Sequence, residues 1–128
     1  MARVRRGEDG QALVEFALVL PVLALFLMGI IDFGRILSAD LTVSEAARDA
    51  ARYASIGASN AQITQVVAAD AATLGPSVTT EIQPAGTRVS GSTVTVTVAD
   101  MVSVFDPLLA AFLGSAFQVQ SQVTMRVE

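Results

Sequence analysis

Residues 16–31 read FALVLPVLALFLMGII, sixteen positions without a charge. Gln11 to Val14 (QALV) extends the run backwards, interrupted only by Glu15. The stretch 11–31 is then 21 residues long. At about 1.5 Å of rise per residue a helix of that length covers about 30 Å, the thickness of the hydrocarbon core. Asp32 and Arg35 close the run. The pattern predicts a transmembrane helix. Pro21 removes one backbone hydrogen bond and crowds the carbonyl of Ala17, which predicts a kink of the kind membrane helices tolerate.

The flanks set the expected orientation. Arg3, Arg5 and Arg6 precede the span, and cations of this kind stay on the cytoplasmic side. Glu8 and Asp9 count little in that rule. A secretory signal peptide would have an apolar core of about 7–15 residues followed by a small-x-small cleavage site. This run is longer, and Asp32-Phe33-Gly34-Arg35-Ile36-Leu37 does not suit that cleavage. The expectation is a basic cytoplasmic leader (1–10), a transmembrane helix (11–31) and a domain outside the cytoplasm (32–128).

The rest of the composition narrows the function. The chain has 128 residues, room for one modest domain. Its apolar fraction of 52% and mean hydropathy of +0.58 are explained by the span. The net charge is −4, all eight cations are Arg, and no basic stripe lies beyond the leader. That argues against nucleic acid as a partner, since phosphate neutralisation needs clustered cations. Cys and His are absent, which removes disulfides, thiolate metal sites and His-based triads. No metal or cofactor is expected. Asp70, Asp100 and Asp106 are the carboxylates available for acid–base work, but no motif joins them. Solvation at the surface is the expected state of each, and the chain is not read as an enzyme.

Glu15 stands out. A carboxylate at the edge of an apolar helix is costly and marks a functional candidate. It sits in Gly10-Gln11-Ala12-Leu13-Val14-Glu15-Phe16. A basic leader, a glycine, four residues, a Glu, an aromatic and an apolar run together resemble the processing site of type IV prepilins. The resemblance implies cleavage after Gly10 by a membrane aspartyl peptidase, the prepilin peptidase, on the cytoplasmic side. The new amine at Gln11 would lie four residues from Glu15, on the same helical face. A buried carboxylate needs a partner, and the amine of the same or a neighbouring subunit would supply it. A glycine also lets a peptidase approach its backbone closely.

Past Arg35 the helical pattern continues to Gly57, with Ile36, Val43, Ala47, Ala50 and Ala54 at three- and four-residue spacing. Glu45–Arg48 and Asp49–Arg52 are i,i+3 pairs of opposite charge on what reads as a solvated face. Gly57 is a helix stop. Ser59-Asn60 offers a cap for a second helix, Ala61 to Leu74, with Ile63, Val66, Val67, Ala71 and Leu74 on one face. Strands are expected at Val78 to Gln83, Ser92 to Ala99, which alternates strictly, and Phe117 to Val127, which alternates apart from Ser121. One-sided alternation predicts an antiparallel sheet with one wet face, its other face on the helices. Met101 to Ala116 (MVSVFDPLLAAFLGSA) is strongly apolar, and Asp106-Pro107 reads as a helix start. It is too short to span a bilayer. It reads as a cover over the sheet or, in the sharper version, as an exposed patch for a partner subunit or the membrane surface.

In this order the parts resemble the TadE-like family, minor pilins (pseudopilins) of the Flp, or tight adherence, pilus system. The resemblance rests on QALVEFALVLPVL, on ILSADLTVSEAARDAARYAS and, more weakly, on the closing VTMRVE. It implies an α+β fold in which a long transmembrane helix extends into a small domain with a second helix and about three antiparallel strands. The implied role is a minor subunit that takes part in pilus assembly or initiation. The implied partners are the prepilin peptidase, other Flp/Tad pilin and pseudopilin subunits, the inner-membrane Tad assembly platform and the lipid bilayer. The alternative is an uncleaved single-pass anchor or adaptor of the same apparatus.

Overall fold

The structure is a computed structural model that describes residues 6–128; Arg3 and Arg5 of the basic leader lie outside the described residues. Helix α1 runs unbroken over Arg6–Ser55, 50 residues or about 75 Å. It passes through Pro21, Gly29 and Gly34 without interruption. Its two halves differ in surroundings. From Gly10 to Ala24 every residue is exposed, whereas Ala39, Val43, Ala46, Ala47, Ala50, Ala51 and Ala54 are buried. The first half carries the large apolar side chains and the second the small ones. Alanine on the buried stripe lets backbone approach backbone, so the sheet and a second helix both settle on the same stretch of α1.

The end of α1 is a left-handed cap. Gly57 has φ +86°, its N–H donates to the Ala54 carbonyl at 3.3 Å, and the Ala58 N–H donates to the Tyr53 carbonyl at 3.1 Å. This paired arrangement is the Schellman motif and satisfies two of the last carbonyls. Helix α2 (Asn60–Asp70) follows at once. The Ser59 side chain accepts from the Gln62 N–H while the Gln62 side chain reaches back to the Ser59 N–H, a capping box. Ile63, Val67 and Ala71 seal against α1. The helix is shorter than the expected Ala61 to Leu74: residues 71–74 are a turn, in which the Ala72 and Leu74 N–H groups tighten onto the carbonyls three residues back, ahead of Gly75 at φ +90°.

Three strands form one antiparallel sheet in the order β1–β2–β3: β1 (Thr79–Gln83), β2 (Thr93–Ser103) and β3 (Ala116–Arg126). Val96 pairs with Ile82 on one side and Val123 on the other. Val94, Val96, Val98 and Val102 line the packed face with Val119. The opposite face carries Thr95 and Thr124, whose hydroxyls meet at 2.8 Å. The expected α+β fold is the observed one. One boundary differs: β2 runs on to Ser103, four residues past Ala99. Asp100 looks like a strand end, but it lies on the packed face opposite Val119, and Met101, Val102 and Ser103 keep the alternation going.

The chain closes on itself at the far end. The Glu128 N–H donates to the Ser55 carbonyl at 2.9 Å, and Val127 exchanges bonds with Gly91 and Ser92. At the near end, Ser103 pairs with Ala116, so residues 104–115 form an insert in the β2–β3 hairpin. The Val104 N–H closes it on the Ser115 carbonyl at 3.0 Å. The insert holds the short helix α3 (Pro107–Leu113).

Candidate functional site

The four residues singled out at the start of α1 are held by nothing except the helix. Gly10 is helical, with no atom within 4 Å of where a Cβ would stand. Gln11 and Glu15 share one face: the Gln11 amide Nε2 donates to Glu15 Oε1 at 3.2 Å. Phe16 is exposed. This segment has a helical glycine with open space beside its Cα, a carboxylate five residues later and an aromatic next to that carboxylate. No part of the domain covers them.

Where α1 leaves the apolar run, the chain builds a junction that sequence reasoning passed over. Asp32 ends the run, and its side chain is 1% exposed. A carboxylate removed from water needs donors. Asp32 Oδ2 accepts from the backbone N–H groups of Phe105 and Asp106, each at 2.7 Å. Asp32 Oδ1 accepts from Arg35 Nη1 at 3.1 Å. The same guanidinium donates to the Ser103 carbonyl at 3.0 Å and stands 4.5 Å from the centre of the Phe105 ring, within cation–π range. Asp106 then caps α3, with Oδ1 accepting from the Leu109 N–H at 2.8 Å and Pro107 at the first turn. Two residues one turn apart on α1 thus pin an insert more than 70 residues away in sequence. The spacing Asp32–Arg35 was visible in the sequence; its partners were not, because nothing local links 32 to 105.

The carboxylates considered for catalysis correct the expectation of surface solvation. Asp100 and Asp106 are buried, at 3% and 2% exposed. Asp100 Oδ1 accepts from the Ser77 hydroxyl at 2.5 Å, tying the approach to β1 onto β2. Asp106 serves as the cap just described. Only Asp70 is exposed. Burial and the Asp49 and Glu45 carboxylates of α1 hold its pKa above the ordinary value. Among the described residues no three His, Cys, Asp or Glu side chains gather as a metal site. The i,i+3 pairs on α1 also turn out differently. Among the described residues the ion pair within 4.0 Å is Arg35–Asp32, while Arg48 Nε turns to the Ser44 carbonyl at 3.2 Å. On a solvated face a pair of that kind is worth only tenths of a kcal/mol, too little to fix two long side chains.

The apolar insert does not cover the sheet. It lies beside α1, and Leu108, Leu109 and Phe112 face Val22, Leu25, Phe26, Gly29, Ile30 and Phe33 across an open, largely apolar groove whose single polar lining residue is Asp106.

Beside the free helix start and the junction stands one similarity to a known protein family. Residues 10–52 match the family model of the TadE-like proteins. Over that third of the chain the sequence is similar to the TadE-like proteins. No curated protein and no solved structure matches the chain. The match begins at Gly10, runs through the exposed half of α1 and most of the alanine stripe, and stops three residues before the helix ends. The sheet and the closing Val123–Glu128 lie outside it. The TadE-like segment contains Gly10, Gln11, Glu15, Phe16, Asp32 and Arg35. One of its helices in the described residues is long and apolar enough to cross a membrane, and none of that apolar window is buried by the fold.

Proposed function

We propose that this TadE-like chain is a minor, pilin-like subunit of a Tad (Flp) pilus assembly. It is anchored by residues 11–31 with its start in the cytoplasm and residues 32–128 outside. A prepilin peptidase cuts it after Gly10, and it contributes no catalysis of its own. The observation that carries this reading is the asymmetry of α1. Its apolar half bears Gly10, Glu15 and Phe16 with no domain packed over them, while its other half is the spine of the fold. A helix half left bare can exchange lipid for a neighbouring subunit's helix without unfolding anything. In the assembled state the Glu15 carboxylate leaves water and needs a cation. The freed amine of Gln11, in the same or a neighbouring subunit, lies on the right face, where Gln11 Nε2 already reaches Glu15. Other Tad pilins, pseudopilins and the inner-membrane assembly platform are the partners of this surface.

The second reading is an uncleaved single-pass anchor or adaptor of the same apparatus. The continuity of α1 through Gly10, from Arg6 onward, favours it, since a peptidase must unwind the helix there to reach the bond. Mass spectrometry of the N-terminus separates the two. The protein is purified from membranes with and without its prepilin peptidase. A start at Gln11 only with the peptidase establishes the subunit reading, and an intact leader in both samples puts the anchor first.

A further inference from the structure

Residues 104–115 carry one ionisable group, Asp106, and it points inwards. Around it the segment exposes Phe105, Leu108, Phe112 and Leu113, with Phe112 87% exposed. In water that is an unfavourable surface for so short an insert. Its position explains it. A Cβ built on Gly29 would sit 3.8 Å from Asp106 Oδ2, so the cap of α3 rests against α1 inside the apolar run. The groove between them has a volume of about 590 Å³ and extends along α1 from Val22 to Phe33. Those twelve residues, eleven steps of the helix, rise about 17 Å, roughly half of a hydrocarbon core.

We propose that α3 is a second membrane element: the 104–115 insert sits in the outer half of the bilayer that α1 crosses, and lipid acyl chains cover its exposed face and fill the groove. This rests on the reading of residues 11–31 as a transmembrane span. Acyl chains are the occupant because the apolar face of α3 is continuous with the lipid-facing surface of the span at the same height. The backbone fits the same setting. In hydrocarbon every N–H and C=O must find a partner within the protein. The N–H groups of Phe105 and Asp106 go to Asp32, that of Leu109 to the Asp106 side chain, those of Ala110 and Gly114 to the carbonyls of Asp106 and Ala110, and that of Val104 to Ser115. Pro107 has none to satisfy. The acid of the insert, Asp106, caps α3 through Oδ1, its Oδ2 lying at the inner wall of the groove beside Gly29, and the cation at its edge, Arg35, is engaged by Asp32 and Ser103. Asp32 therefore lets non-helical backbone enter the membrane level.

The chain has no cysteine, so single-cysteine labelling of the full chain is clean. Phe112→Cys and Leu108→Cys are spin-labelled in phosphatidylcholine–phosphatidylglycerol vesicles. Leu18→Cys serves as the span reference and Glu81→Cys as the aqueous one. The logarithm of the ratio of oxygen to nickel-chelate accessibility is positive in hydrocarbon and negative in water. The expected result is a positive value at Phe112 and Leu108, with Leu18 positive and Glu81 negative. A negative value at Phe112 and Leu108 beside a positive one at Leu18 overturns the insertion and leaves the span standing. Negative values at all four overturn both. Low accessibility to both reagents at Phe112, with dipolar broadening between labels, shows a second copy on this face and also overturns the lipid assignment.

Discussion

Glu15 and Asp32 are two carboxylates on one helix, 17 residues apart, with opposite dependence on the rest of the chain. Among the described residues the hydrogen-bond partner of the Glu15 side chain is Gln11, its neighbour one turn back. Asp32 holds two backbone amides of a distant insert and the guanidinium of Arg35. Substitution should separate them. Glu15→Ala is expected to leave the unfolding midpoint of the domain unchanged while lowering the fraction of protein recovered with pilus components; equal recovery of variant and parent would remove Glu15 from assembly. Asp32→Ala is expected to strip amide protection from Phe105 to Leu113 in hydrogen exchange and leave β1 and β2 protected. Unchanged protection there would show that the junction holds without its carboxylate. Of the two, Glu15 stands out as a candidate in the sequence because its signal is local: a spacing from Gly10, a leader before and an apolar run after. Asp32 does not, because its partners are fixed only when the β2–β3 hairpin forms and brings residue 105 to residue 32. The same reason hid Asp100 and Asp106, whose burial depends on strand register and on a cap.

At the level of elements, the second half of α1 illustrates how much periodicity reveals. The spacing of Val43, Ala47, Ala50 and Ala54 gave the buried face, and the alternation of Val94, Val96 and Val98 gave the sheet face that meets it. The sequence did not disclose that the small size of the alanines is the feature that matters. Ala47 and Ala50 are fully buried, with sheet and α2 both against the stripe, so there is no room for a longer side chain. Ala50→Leu is expected to destabilise the domain by about 1–3 kcal/mol through overpacking, read as a lowered denaturant midpoint; an unchanged midpoint would mean that the helix and sheet slide apart at little cost. Helix α2 contributes a smaller, pH-dependent effect. Partial desolvation, and then the facing Asp49 and Glu45 carboxylates, hold the folded pKa of Asp70 above its unfolded one. A carboxyl shifted that way costs stability as pH rises through that interval, and the cost persists at neutral pH. Asp70→Asn should therefore raise stability at pH 7, by no more than about 0.5 kcal/mol because the group is well solvated. The gain should vanish at a pH low enough to protonate Asp70 in both states. A gain that persists in acid would exclude the charge as its cause.

Over the whole molecule the two halves of α1 divide the labour, and this division makes the fold separable from its anchor. Every buried apolar residue lies at or beyond Ala39, so the apolar run contributes nothing to the core. The C-terminal half of α1, in contrast, supplies seven of the buried core positions, and without it Val94, Val96, Val98, Ile63 and Val67 would face water. Burying side chains of that size is worth about 1.5–3 kcal/mol each, and a small domain has only about 5–15 kcal/mol of net stability to lose. A fragment beginning at Asp32 should therefore fold as the complete domain in detergent-free buffer, apart from a tendency to associate through Phe105, Leu108 and Phe112. A fragment beginning at Gly57 should not fold at all. Circular dichroism with a cooperative thermal transition for the first fragment and none for the second is the expected outcome. Cooperative folding of the shorter fragment would mean that the sheet and α2 close a core without α1. Helix α1 would then be an attached appendage, and the coupling of its apolar half to the domain through Asp32 would have no folded spine to act along.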